Sequence, residues 1–312
     1  MPRIATYRAF FALSVVAASA CTRSAAPTKP GVDSAAYAAD TKEWRATRLD
    51  AIAGADGWST LAGLFWLDSA AYTIGSGPGN TIVLPGDHTP ARLGSISISG
   101  SIVQFRAAAG ATVMSDTTRV DSITVQSDKS GHGTLLRNGS VTYRLIERGG
   151  RLAIRVKDSL FTGRRAFAGL DYYPLDTSLR VLAKLVPHTS PRTLRILNVL
   201  GQTDEYRSPG VLHFTVSGVA HTLTAAYEGK DTTQYFLLFR DSTSRTATYP
   251  AGRFMYTTPA DSAGYVILDF NRAYNPPCAF TNFATCPLPP AENLLNVAIT
   301  AGEKRYAGRI GH

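Results

Sequence analysis

Apolar and polar positions alternate in short runs over most of this chain, and one stretch alone carries a helical period. In residues 151–157, Leu152, Ile154 and Val156 alternate with Arg151, Ala153, Arg155 and Lys157. That period of two belongs to a half-buried antiparallel strand. A similar run at 141–147 precedes it across Arg148-Gly149-Gly150, so the two predict a hairpin. Shorter β-type runs appear at 82–84, 96–105, 120–125, 181–186, 192–197, 212–216, 221–225, 235–239, 252–256, 265–270 and 295–301. Turn residues separate them, with no long helix between. The pattern predicts a mainly β chain made of two joined antiparallel β-sandwich or barrel units. The helical stretch is 33–54, with Asp33 or Ser34 as cap, Gly54 as stop, and Tyr37, Trp44, Leu49 and Ile52 roughly on one face. All three tryptophans fall between residues 44 and 66, which predicts an aromatic core joining the helix to the first sheet. A soft boundary falls where DKSGHG (128–133) breaks the strand rhythm. It divides the body into a helix with an N-terminal β unit, 34–130, and a C-terminal β unit, 131–312.

The first twenty residues carry a different signal. Arg3 and Arg8 precede an apolar stretch at 10–18, too short to span a bilayer, and Ala18-Ser19-Ala20 leads to Cys21. This resembles a bacterial lipoprotein signal peptide (1–20). The resemblance implies lipidation at Cys21 and a membrane anchor there. Thr22 after the cysteine implies the outer membrane, with the protein facing the periplasm. More than one acyl chain gives stable anchoring. The alternative is a plain secretory signal that ends near a cysteine. Residues 21–33 are small, polar and proline-containing and predict a flexible tether.

Composition narrows the function only by exclusion. The formal charge is +9, and between Arg137 and Arg207 thirteen basic residues face six acidic ones. That surplus predicts either solvated strand faces or attraction to anionic envelope material. Nucleic acid is not an expected partner of an exported, anchored chain, and a monomer is expected. There is no G-x-S-x-G elbow, H-E-x-x-H or Walker loop, and the histidines show no ligand spacing. No metal site and no cofactor are therefore expected. With Cys21 lipidated, Cys278 and Cys286 form an even pair in an oxidising compartment. A disulfide is the simplest expectation, worth about 2–3 kcal/mol. A metal pair and a reactive thiol are the alternatives.

The candidate site lies at 265–293. A strand runs into Asp269, Asn271, Arg272, Tyr274 and Asn275, and proline pairs at 276–277 and 289–290 bracket the cysteine loop. Loops this long inside a compact domain are usually functional, and proline lowers the entropy of holding one shape. Arg253 and the carboxylates Asp204 and Glu205 supply further polar groups. The expected function is binding of a small or glycan-like ligand at this loop. One alternative is a hydrolase acting on cell-envelope material, with Asp269 or Glu205 as general acid or base. Another is an envelope scaffold whose loop plugs one end of the fold.

Four motifs carry a family resemblance. They are Trp58-x-x-Leu61-x-Gly63-Leu64-x-Trp66-Leu67, NVLGQT at 198–203, AGRF at 251–254, and DFNRAYNPPCAF at 269–280 followed by ATCPLPP at 284–290. Together they resemble the bacterial domain-of-unknown-function family 1684 over about residues 40–306. The family has no established activity, so the resemblance implies no catalytic residues.

Overall fold

In the computed structural model, residues 29–86, 88–131 and 133–308 are described. The expected signal peptide, Cys21 and most of the tether lie outside them. The helix forms at Ser34–Ala53. The Asp33 carboxylate accepts the N–H groups of Ala35 at 2.8 Å and Ala36 at 3.0 Å, and the Gly54 N–H closes the far end on Asp50. Its buried stripe is Tyr37, Thr41, Arg48 and Ile52. Leu49, expected on that face, is 43% exposed. Arg48 goes inward instead because the fully buried carboxylate of Glu303 accepts its Nε at 2.8 Å.

The first β layer pair is a sandwich. Its six-stranded sheet runs, edge to edge, Leu61–Trp66, Arg151–Asp158, Val141–Arg148, Leu135–Asn138, Met114–Ser115 and Thr118–Arg119. The facing five-stranded sheet runs Ile82–Val83, Ala71–Gly75, Gly94–Ser99, Ile102–Ala107 and Ser122–Thr124. Pairing is antiparallel except between Ala71–Gly75 and Ile82–Val83. Tyr72, Ile74, Ile96, Val103 and Phe105 from one sheet pack on Leu136, Tyr143, Leu145, Ile154 and Val156 from the other. The space left between them is about 10 Å³ with an apolar lining, at the lower limit for one water and no room for a ligand.

The expected hairpin is present, with Arg148 opposite Arg151 and positive φ at Gly149 and Gly150. The boundary at 130/131 is corrected. Strands on both sides of it share the six-stranded sheet, and this first sandwich runs on to Asp158. At the start of that break Asp128–Ser130 form a tight turn, from which Asp128 pairs with Arg148 at 2.8 Å.

The second β layer has four strands in the order Val219–Thr224, Thr203–Val216, Arg180–Leu197 and Tyr265–Asp269, all antiparallel. A separate hairpin pairs Tyr235–Phe239 with Arg253–Thr257. The run YFLLF at 235–239 is buried throughout, as a strand covered on both faces must be. Tyr235, Leu237 and Phe239 enter one core with Leu212, Phe214, Val266, Leu268 and Phe270. Phe236 and Leu238 enter another with Leu61, Leu194, Ile196 and the cysteine loop. Residues from Gly31 onward pack as one compact unit. The fold is thus mainly β with several antiparallel sheets and one N-terminal helix, and no sheet closes into a barrel among the described residues.

Candidate functional site

Three residues expected to face a ligand are internal braces. Arg253 is 0% exposed. Its Nη2 pairs with Asp241 at 2.5 Å and donates to the Ile299 carbonyl at 2.8 Å. Its Nη1 donates to the Ala301 and Glu303 carbonyls, and the guanidinium lies 5.4 Å from the Phe239 ring centre. Asp241 is equally buried and accepts from the Thr243 amide at 2.6 Å. Buried charges of this kind persist only when paired and hydrogen-bonded. Arg253 therefore ties the 299–303 segment to the inner hairpin, and no ligand reaches it.

Asn271, also 0% exposed, accepts the Asp176 N–H at 2.9 Å and donates to the Asp176 carbonyl at 2.7 Å. Asn275 is 1% exposed. Its backbone N–H donates to Glu303 at 2.8 Å and its side chain to the Lys304 carbonyl at 2.7 Å. Tyr274 is half-buried, stacked on Tyr256, with the Arg48 guanidinium 4.4 Å from its ring centre. Burial, above all, raises its phenol pKa.

The two acidic residues Asp204 and Glu205 do not join this region. Asp204 accepts the Gly149 N–H at 2.9 Å, and exposed Glu205 stands opposite Arg195. Asp204 pairs with Ile196 on the long strand, whereas Asp269 pairs with Arg180, sixteen residues back along that strand. The carboxylate pair that a hydrolase would draw from Asp269 and Glu205 is not assembled.

Asp269 and Arg272 do meet an open space. A cleft of about 600 Å³ lies between the start of the helix and the ends of the strands Tyr265–Asp269 and Arg253–Thr257. Asp33, Tyr37 and Asp40 line it from the helix side, and Arg180, Tyr256, Asp269 and Arg272 from the sheet side. Gln234, Thr257, Thr258 and Ile267 also line it, with Gly31, Val32 and Ala36 beside the helix start. The Tyr37 hydroxyl donates to both oxygens of Asp269, at 2.8 and 3.0 Å. Burial first, and then that hydrogen bond, raise the Tyr37 pKa, so it stays a donor. Arg272 bonds Asp40 and stands 3.7 Å from Asp269. Arg180 lies directly across the strand pair from Asp269, on the same face, and its Nη1 has no hydrogen-bond partner within the chain. At the helix start, hydrogen bonds from the Ala36 and Ala35 amides lower the Asp33 pKa.

This arrangement offers acceptors from three carboxylates, donors from two guanidiniums and an amide, and two aromatic rings. A volume of this size suits a small molecule. Tyr37 and Asp33 were legible only as helix core and cap, because the meeting of Tyr37 with Asp269 spans 232 residues of sequence. No group of three or more metal-ligating side chains occurs among the described residues.

Cys278 and Cys286 are free thiols, so the structure does not carry the expected disulfide. Each sulfur accepts the other residue's backbone N–H, at 3.1 and 3.2 Å.

Fold and cleft together define a mainly β protein with a polar small-molecule-sized cleft at the helix start. Residues 165–304 match the family described as "Protein of unknown function (DUF1684)". The match covers the second β layer, the cysteine loop and most of the cleft wall. It leaves out the tryptophan motif at 58–67 and the first sandwich, so it is shorter than the span expected from sequence. A solution NMR structure of an uncharacterized protein from Haloarcula marismortui is 35% identical, with 45% of this chain and 78% of that chain covered and a TM-score of 0.39. No curated protein matches.

Proposed function

We propose that this chain is an envelope-anchored binding protein that holds a small polyhydroxylated, glycan-like ligand in the cleft beside the helix start. The anchor is the lipidated Cys21 of a bacterial lipoprotein facing the periplasm, at the outer membrane, and the protein acts as a monomer. Support for the anchor comes from the charged start, apolar core and small residues that precede Cys21. The observation that carries the ligand reading is the lining of the cleft: carboxylates, guanidiniums and an amide share it with Tyr37 and Tyr256. Sugar hydroxyls are matched by such mixed donors and acceptors, and the apolar face of a sugar ring by an aromatic surface. The site moves from the proline and cysteine loop to the end of the strand that precedes it, because the loop's amides and Arg253 are consumed by backbone partners.

A thermal-shift screen of the full chain against neutral and acidic mono- and oligosaccharides tests this. A ligand present at a hundredfold excess over its Kd stabilises by about 2.7 kcal/mol. Asp269→Ala and Arg180→Ala should abolish the shift, and Asp204→Asn should keep it. No shift from any sugar, or a shift that survives both cleft variants, rules the reading out.

A further inference from the structure

Cys278 and Cys286 take no part in the cleft, yet they form a close pair of nucleophilic groups in the loop that follows the second β layer. The reciprocal N–H···S bonds at 3.1 and 3.2 Å hold each sulfur against the other residue's backbone, the kind of proximity a disulfide requires. The two sulfurs have unequal surroundings. Cys278 is half-buried, at the margin of the loop. Cys286 is buried among Leu194, Ile196, Phe236 and Ala284. Arg155 reaches the loop from the first sandwich, where its Nη2 donates to the Thr285 hydroxyl at 3.2 Å and its guanidinium sits 5.5 Å from the Trp58 ring centre. Its Nε is buried without a hydrogen-bond partner. A hydrogen bond from Cys286, opposed by burial and helped by a backbone amide and by Arg155, lowers the Cys278 pKa. Burial pushes the Cys286 thiol up. A half-buried thiol whose pKa is lowered and a buried thiol whose pKa is raised are the unequal pair that thiol–disulfide exchange uses.

We propose that Cys278 and Cys286 form a reversible dithiol–disulfide couple, in which Cys278 is the attacking sulfur, Cys286 the resolving one, and a small disulfide of the glutathione type the oxidant. The Cys278 thiolate attacks one sulfur of the oxidised glutathione. The S–S bond of glutathione breaks, one glutathione leaves as thiolate and takes up a proton, and a mixed disulfide forms on Cys278. Cys286 then loses its proton to solvent and attacks the Cys278 sulfur. The Cys278–Cys286 bond forms and the second glutathione leaves. Two protein thiols are oxidised, one glutathione disulfide is reduced to two thiols, and excess reduced glutathione runs the steps backwards. Oxidation alters the loop that Arg155 reaches through the Thr285 hydroxyl, so the contact between the first sandwich and the cysteine loop responds to redox state. This couple does not depend on what the cleft holds.

The test uses the full chain in buffers of varied reduced-to-oxidised glutathione ratio, acid-quenched, alkylated and mapped by peptide mass spectrometry. The peptides bearing Cys278 and Cys286 should lose two hydrogens as the ratio falls and regain them as it rises. Cys286→Ser should accumulate glutathione on Cys278, and Cys278→Ser should accumulate at least tenfold less on Cys286. Brief iodoacetamide treatment of the unmutated, reduced chain should label Cys278 at least tenfold faster than Cys286, and Arg155→Gln should slow that labelling severalfold. A pair that stays reduced at every ratio, a disulfide that excess reduced glutathione does not open, or labelling that is equal or faster at Cys286 overturns the proposal.

Discussion

Replacing Arg253 with methionine tests the claim that this residue is a brace and not a ligand group. Methionine keeps much of the side-chain volume and removes the charge. Asp241, 0% exposed, then loses the cation that sits 2.5 Å from its Oδ2. The carbonyls of Ile299 and Ala301 lose their donors as well. Breaking a buried pair by removing one partner costs about 3–5 kcal/mol, because the remaining charge is uncompensated. In a domain of this size each kcal/mol lowers Tm by roughly 2–4 °C, so Tm should fall by roughly 6–20 °C. Urea denaturation followed by far-ultraviolet circular dichroism gives the equilibrium value. The double variant Asp241→Asn/Arg253→Met should recover part of the loss, with a coupling of about 1–3 kcal/mol. A single-variant loss below about 1 kcal/mol with native spectra refutes the reasoning, since a side chain that costs so little to remove cannot hold the 299–303 segment. So does loss of a sugar-induced thermal shift with stability unchanged, which would return Arg253 to the ligand.

Asn271→Ala removes the hydrogen bonds to the Asp176 backbone and should cost about 1–3 kcal/mol in the same denaturation assay. Gly150→Ala places a side chain at φ 78° in the hairpin turn and should cost about 1–2 kcal/mol, against almost nothing for an exposed Gly79→Ala. Asp33 has a pKa below its ordinary 3.8 because the folded helix donates two N–H groups to its carboxylate. Its contribution is therefore fully present above pH 3.8 and is lost as the pH falls through the lower folded value. Amide hydrogen exchange at Ala35 and Ala36 should accelerate across that acid window in the unmutated chain and be fast at all pH in Asp33→Ala.

Much of the fold is written locally. The period of two at 151–157, the Gly-Gly turn and the capped helix each report their own conformation, and each forms as expected. The doubly buried run at 235–239 likewise declares itself by having no charged residue and no alternation. The boundary near 130 does not divide the sheets because a tight turn and a domain linker use the same residues, and the pairings of Leu61–Trp66 with Arg151–Asp158 and of Met114–Ser115 with Leu135–Asn138 tell them apart. The site was legible in part. Asp269 and Arg272 reach the cleft, but Arg253, Asn271 and Asn275 do not. A polar side chain near a stiff loop looks the same in sequence whether its partner is a ligand or a carbonyl. Here the partners are remote: Ile299 lies 46 residues from Arg253, and Asp176 lies 95 from Asn271. Arg180 and the helix start were missed for the same reason, since the strand register brings Arg180 beside Asp269 and the helix packing brings Tyr37.

The central claim is the location of the ligand, and hydrogen–deuterium exchange of the full chain with and without a sugar that raises its Tm addresses it most directly. Slowed exchange at 31–40, 256–258 and 267–272 is the predicted result. Slowed exchange confined to 276–290, or none in the segments that line the cleft, contradicts it.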